Sequence, residues 1–364
     1  MDKLIGEGVT SVSNKTNNDN MTHCDQVATP AHLFFMLQLV YSLVFLVGLV
    51  LNSFTMKVYF CSAQQQVSRI MMVYLKNLAV SDFLLCLYLP FRIISYTNSS
   101  ITFHVIYCTF GASTFYLNMY VSILFMGYIA ANSLLTPASL LSRYLKIIHP
   151  LGNHILQTVQ AARIISTVTW VFLLAIVITY VTLSLLTQET LTIVPDTCDA
   201  FLSAQVNVFF KIIHTCSAAV FLFVFVSMVF FYYSASRSVL LAQQRQPASS
   251  SCKKLMKSRK KMLVLVSVFC ICFVPYHLVR LPYTFLRRWC SLSLMLYYLK
   301  ETTILLSALN ICLDPLIYFI FCEAFRAQLS RPHSKKARRR SEGQPKASNS
   351  EASLSTSTRQ TDGL

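Results

Sequence analysis

Seven stretches of this chain are apolar for long enough to cross a lipid bilayer. They lie at about 33–60, 70–96, 106–132, 161–186, 205–235, 260–286 and 294–321. Each is near or above the roughly 20 residues that a helix needs to traverse the hydrocarbon core. In lipid a backbone must satisfy its own N–H and C=O groups, so runs of this length are read as helices. One such run could be a buried helix of a large soluble protein; seven separated by short polar loops exclude that. Composition agrees, with 55% of the 364 residues hydrophobic and 12% charged, where soluble domains carry roughly 25% charged residues. The expected fold is an all-α membrane protein, a seven-transmembrane helix bundle over 33–321. A polar tail at 1–32 precedes it, and a short cytoplasmic amphipathic helix at 322–330 and a disordered tail at 331–364 follow. Residues 1–30 lack an apolar core, so no signal peptide is expected and the first helix acts as its own insertion signal.

The formal net charge of +17 would suit a nucleic-acid binder, but the basic residues gather in a few loops and the tail. That is a topology signal. The loop at 234–261 carries Arg237, Arg245, Lys253, Lys254, Lys257, Arg259, Lys260 and Lys261 without an acid. Segment 143–163 holds Arg143, Lys146 and Arg163, also unopposed, whereas 187–204 has Glu189, Asp196 and Asp199 and no base. The positive-inside rule then puts the C-terminus in the cytoplasm and the N-terminus outside the cell, at the plasma membrane. The glycosylation sequons at Asn14, Asn20 and Asn98 fall on the expected outer side.

Four of the twelve cysteines share that oxidising side: Cys24, Cys108, Cys198 and Cys290. Four cysteines admit three pairings. The expected one joins Cys108, at the top of the third helix, to Cys198 in the second outer loop, which leaves Cys24 for Cys290. The other eight read as small apolar residues, with Cys322 also a palmitoylation candidate.

Polar groups within the hydrophobic runs are expensive and therefore functional candidates. Asn52, Asp82, Asn118, Ser122, Asn310 and Asp314 are of this kind. Asn118 and Ser122 are four residues apart and share a helix face, as do Asn310 and Asp314. With Asp82 they offer oxygen ligands only, two of them carboxylates, which suits a hard cation such as sodium. The same groups also serve as a hydrogen-bond network between helices, and the two roles are compatible.

Read in order, GLVLN in helix one, NLAVSD in helix two, Trp170 in helix four, CFVPY in helix six and Asn310 to Tyr318 (NxxxDPxxY) in helix seven resemble the rhodopsin-like G protein-coupled receptors over about 33–330. The resemblance implies an allosteric sodium pocket at Asp82, Asn118, Ser122, Asn310 and Asp314. It also implies a kink of helix six at Pro275 and an activation switch of Arg143, Tyr144, Pro275, Asp314, Pro315 and Tyr318. Partners implied are a heterotrimeric G protein of the inhibitory class, arrestin and receptor kinases. A retinal-binding member is excluded, because Ala308 stands where the Schiff-base lysine is needed.

FYLNMYVSI (115–123), CFVPYHLVRLPYTF (272–285) and YLKETTILLSALNICLDPLIYF (298–319) are more closely similar to the purinergic nucleotide receptors of the ADP and UDP-sugar branch. The chemistry of these pieces stands by itself. His277, Arg280 and Tyr283 or Thr284 share a helical face running outward from Pro275. Lys300, 14 residues before Asp314, lies about 21 Å farther along a helix. Arg280 and Lys300 thus face one outer vestibule, with Tyr116, Tyr120 and His277 below. A guanidinium and an ammonium suit a di- or triphosphate, and the aromatics suit a base or an acyl group.

Several positions depart from that branch. Thr179-Tyr180 replace a Pro-Asn pair in helix four, and Leu202 and Phe210 replace a lysine and a histidine, with Lys211 on a different face. An anionic ligand remains expected, either a nucleotide or nucleotide-sugar, or a lysophospholipid-type anionic lipid. At the inner end of helix three, SLLTPASLLS (133–142) separates Asn132 from RYLKIIHP (143–150), where the family runs without a break. As a helix the ten residues would add about 15 Å, with Pro137 tending to kink it. The insert loops out, or impairs coupling and leaves a non-signalling binding protein, or stems from a mis-joined exon, which its apolar composition favours.

CEAFRAQL (322–329) suits a helix lying on the membrane with Phe325 and Leu329 downward. KKARRR (335–340) can attract anionic lipid, and the Ser/Thr-rich 341–364 is a kinase-target candidate. No nucleophile–base set, metal cluster or phosphate loop occurs in a polar segment, and no internal repeat suggests a transporter. Neither an enzyme nor a nucleic-acid binder is expected.

Overall fold

Each apolar run becomes a helix, and seven helices are long and apolar enough to cross a membrane. The structure is a computed structural model that describes residues 31–61, 69–98, 100–141, 158–187, 198, 203–245, 250–286 and 290–321. Span one is Ala31–Cys61, span two Arg69–Ser95, span four Val159–Leu186, span five Ala204–Arg245 and span six Ser250–Leu286. Span three has three pieces: an α-turn at Ile101–Ile106, a π-turn at Tyr107–Gly111 and a long helix Ala112–Leu141. Span seven is Cys290–Ala308 and Asn310–Phe321, broken at Leu309. Cys24, Asn14, Asn20, Arg143, Tyr144, Cys322, Leu202 and the amphipathic segment 322–330 lie outside the described residues, as does the side chain of Cys290.

Span three runs through the middle, touching spans two, four, five and six. Its start is tied to the loop between spans four and five by the Cys108–Cys198 disulfide, with Cα atoms 5.2 Å apart. This end of the bundle is called the bridge end below. The π-turn fits the same crowding, because a Cβ on Gly111 would come within 2.9 Å of the Tyr88 ring. Asn98 lies at the bridge end too, its Oδ1 accepting from the Ser100 amide at 2.8 Å.

Small and polar residues join the spans where apolar packing alone gives little preference in lipid. A Cβ on Gly48 would meet the Ile311 side chain at 2.6 Å, so glycine lets span one approach span seven. One turn on, Asn52 Nδ2 donates to the Ile311 carbonyl at 2.8 Å. That carbonyl has no helical donor, because Pro315 lacks the N–H four residues later. Trp170 of span four donates to Asn77 Oδ1 of span two at 2.9 Å.

Spans five and six are much longer than the apolar runs. Residues 234–245 and 250–261, expected as loop, are helical. Hydropathy marks where lipid begins, whereas a helix of Lys, Gln, Arg and Ser persists into water. The insert in span three is likewise not looped out as far as residue 141: the backbone stays helical past Pro137 to Leu141. Ser258 of span six donates its hydroxyl to the Ser133 carbonyl at 3.3 Å, at the point where the insert begins.

Candidate functional site

Span six positions Arg280 at the bridge end. Pro275 leaves the Ile271 carbonyl without its helical donor, and side chains contact the carbonyls of the two residues that follow. Ser307 of span seven donates to the Cys272 carbonyl at 2.9 Å, and His277 Nδ1 lies 2.8 Å from the Phe273 carbonyl. Beyond Pro275, Arg280 and Tyr283 follow on the inward face. Thr284 instead turns its hydroxyl back to the Arg280 carbonyl at 2.8 Å, so Tyr283 is the residue that faces the cations.

Arg280 and Lys300 are 5% and 8% exposed, although they come from different helices and carry like charge. The Arg280 guanidinium lies 5.4 Å from the centroid of the Tyr283 ring, and the Lys300 ammonium 5.1 Å from the same centroid. Tyr116 and Phe210 flank Arg280 at 5.6 and 5.0 Å, and Tyr297 flanks Lys300 at 4.7 Å. Cation–π contacts of this sort contribute about 0.5 to 2 kcal/mol each, more as they are desolvated. One turn deeper, Tyr120 and His277 pair at 3.4 Å, and Phe221 stacks on the His277 ring at 3.8 Å. All six expected cavity residues are therefore in one neighbourhood, in two tiers: Arg280, Lys300, Tyr283 and Tyr116 above, Tyr120 and His277 below.

Three participants are not apparent from sequence. His214, one turn after Phe210, lies 3.4 Å from Arg280 Nη2 and brings a polar group to the wall where Phe210 removed one. Glu301 joins Lys300 at 2.9 Å through Oε1 and pairs through Oε2 with Arg92 of span two. Arg92 also donates to the Tyr107 hydroxyl and lies over the rings of Tyr41, Tyr96 and Tyr107 at 5.2–5.6 Å. A charge inside an apolar run was the available signal for Arg92. Beside this tier, Tyr116, Tyr120, Leu173, Ile176, Tyr180 and Phe210 help line a cleft between spans three, four and five.

The second polar region lies halfway along the bundle. Asp82, Asn118, Ser122, Asn310 and Asp314 are all buried. Tyr318 donates to Asp82 Oδ2 at 2.6 Å, Asn310 Nδ2 to Ser122 Oγ at 3.3 Å, and Asn118 Nδ2 to Ser81 Oγ at 2.8 Å. Asp82 Oδ1, Asn310 Oδ1 and both carboxylate oxygens of Asp314 are buried acceptors without a hydrogen-bond donor among the described residues. Such acceptors carry a desolvation penalty unless a cation or proton meets them. An oxygen-only donor set of this kind fits a hard monovalent cation. Among the described residues no group of three or more His, Cys, Asp or Glu could hold a transition metal.

Residues 51–318 match the family described as 7 transmembrane receptor (rhodopsin family). The chain belongs to that family. It falls in the purinoceptor-like branch: it is 30% identical over 299 residues to purinoceptor 14 of Bos taurus, covering 80% of this chain and 84% of that one. It is 31% identical over 294 residues to purinoceptor 13 of Homo sapiens, covering 79% and 78%, and 30% over 336 residues to the G-protein coupled receptor 87 of Mus musculus, covering 90% and 88%. The protein is thus a multi-pass membrane receptor of the G protein-coupled type rather than an enzyme. The helix of span three runs into the insert as far as Leu141, and Arg143 and Tyr144, expected as part of a switch, lie beyond the described residues.

Proposed function

We propose that the protein is a plasma-membrane receptor, N-terminus outside, for an extracellular nucleotide or nucleotide-sugar, signalling through an inhibitory-class heterotrimeric G protein. The observation that carries this reading is the convergence of Arg280 and Lys300 on the one Tyr283 ring at the bridge end. Two buried cations around a shared aromatic ring suit a pyrophosphate, with the guanidinium chelating one phosphate and the ammonium acting as a point charge on the next. Tyr116, Tyr120 and His277 then form the floor for a base or sugar. In this orientation Asn14, Asn20 and Asn98 face the glycosylating compartment, Cys24 pairs with Cys290, and the tail with Cys322 meets palmitoylating enzymes, receptor kinases and arrestin. Sodium at Asp82, Asn118, Ser122, Asn310 and Asp314 would stabilise the resting bundle, and Pro275, Asp314, Pro315 and Tyr318 with Arg143 and Tyr144 would form the switch.

The test is a screen of nucleotides and UDP-sugars for cAMP lowering in transfected cells, repeated with Arg280→Ala and Lys300→Ala at matched surface expression. Each substitution should weaken the best agonist by about tenfold or more. An unchanged potency would remove the site assignment. Deleting residues 133–142 in the same assay reads the insert: gain of G protein activation on deletion means that the lengthened span three restrains coupling.

A second reading, an anionic lipid of the lysophospholipid type, is favoured by the largely apolar cleft beside Arg280, where Tyr180 and Phe210 stand. Competition between a lysophospholipid and a nucleotide at one radioligand site separates the two.

A further inference from the structure

The bridge end holds a buried charge cluster that the ligand reading leaves unexplained. Arg92 of span two and Lys300 of span seven share a single carboxylate, Glu301, with Oε2 on Arg92 and Oε1 on Lys300. The Tyr96 hydroxyl adds a 3.4 Å contact to Oε2. Two cations against one carboxylate leave the trio with one net positive charge. The geometry decides where that charge is available. Arg92 is held from several sides, by Glu301, by the Tyr107 hydroxyl and by three tyrosine rings. Among the described residues Lys300 has one oxygen partner, at 2.9 Å, and otherwise aromatic faces, including the Tyr283 ring it shares with Arg280.

We propose that Glu301 is a built-in stand-in for the ligand's anionic group, and that Arg92 is the positioning residue that makes it displaceable. An incoming phosphate takes the ammonium of Lys300, while Glu301 stays on Arg92 instead of becoming an unpaired buried carboxylate facing the ligand. Without Arg92, the counter-ion left to Glu301 is Lys300. The pair is then neutral, and an anion would have to expel the carboxylate into an uncompensated buried state, which is strongly unfavourable. Arg92 thus sets the sign of the cavity without touching the ligand. This rests on the reading of Arg280 and Lys300 as an anion site, and it concerns residues outside that site.

The experiment is a charge cycle on purified, nanodisc-embedded receptor, with ADP, UDP-glucose and inorganic pyrophosphate as probes in competition binding. Arg92→Gln should weaken the anions by about tenfold or more, and Glu301→Gln should strengthen them by severalfold. The double variant Arg92→Gln/Glu301→Gln should return to within a few-fold of wild type, because no carboxylate is left to compete for Lys300. A merely structural role for Arg92 predicts that the double variant binds no better than Arg92→Gln, and that result overturns the proposal. Thermal melting without any ligand gives an arm independent of the nucleotide reading. Lys300→Met removes the surplus charge and should melt no lower than wild type, whereas Arg92→Gln should melt lower. A Lys300→Met receptor that melts as low as Arg92→Gln overturns the assignment of Lys300 as the loosely held partner. If no probe binds wild type but the melting order holds, the nucleotide reading fails and the charge assignment stands.

Discussion

Halfway along the bundle, Asp82 and Asp314 bury two carboxylates among amides and hydroxyls; at the bridge end, Arg92, Lys300 and Arg280 bury three cations among tyrosines, with Glu301 between two of them. The first region is all acceptor at its centre, with four buried oxygens of Asp82, Asn310 and Asp314 lacking a donor among the described residues. The second is rich in donors and aromatic faces. Both hold charge out of water, which lipid-embedded helices tolerate only where partners or a ligand compensate. One fold therefore holds two polar regions of opposite character, acceptor-rich below and cation-rich above. Spans two and seven contribute to both, Asp82 and Arg92 from the one and Lys300, Glu301, Asn310 and Asp314 from the other. Ser307, on span seven between Lys300 and Asp314, donates to the Cys272 carbonyl of span six, so the two helices are joined between the two regions.

The sharpest way to break this contrast is to reverse the charge above. Arg280→Glu should lower nucleotide affinity by about a hundredfold or more, since a lost guanidinium is compounded by like-charge repulsion; radioligand competition on membranes checks it. An undiminished affinity would mean that the upper region is not an anion site. Neutralising the lower region acts on a different readout. Asp82→Asn keeps the shape and removes one of two carboxylates, so sodium should no longer shift agonist affinity, an effect of about tenfold where the coupling is present. Binding with NaCl replaced by N-methylglucamine chloride measures it, and a sodium effect that survives would dissociate these oxygens from the ion. The smallest effect belongs to Tyr318→Phe. It deletes the 2.6 Å bond to Asp82, a net contribution of about 1 kcal/mol. It should shift basal G protein activation, read by nucleotide exchange, while leaving the preference among anions unchanged.

The two regions also differ in how far they could be read in advance. The lower one is written in closely spaced polar residues within apolar runs, and the i, i+4 pairs bring its five members to one depth as expected. The upper one was legible along span six, where helical spacing placed Arg280 and Tyr283 on one face, and along span seven through the distance from Asp314 to Lys300. Spacing on one helix could not choose between Tyr283 and Thr284; the Thr284 hydroxyl is consumed by its own helix. It also could not find Arg92, because a lone arginine near the end of an apolar run reads as a side chain reaching for the interface. Glu301 has no partner that spacing on its own helix reveals beyond its neighbour Lys300, and only packing of span two against span seven shows that it also serves Arg92. Elsewhere hydropathy located all seven crossings but ended spans five and six too early, since it reports contact with lipid and not helix formation.

The central claim is that Arg280 and Lys300 together accept one anion. Isothermal titration of UDP-glucose and ADP into nanodisc-embedded receptor, wild type against Arg280→Gln, Lys300→Gln and the double variant, tests it most directly. Cooperating cations predict that each single variant binds at least about tenfold more weakly and that the double loses less than the sum of the two single losses. Wild-type affinity in both single variants would contradict the account.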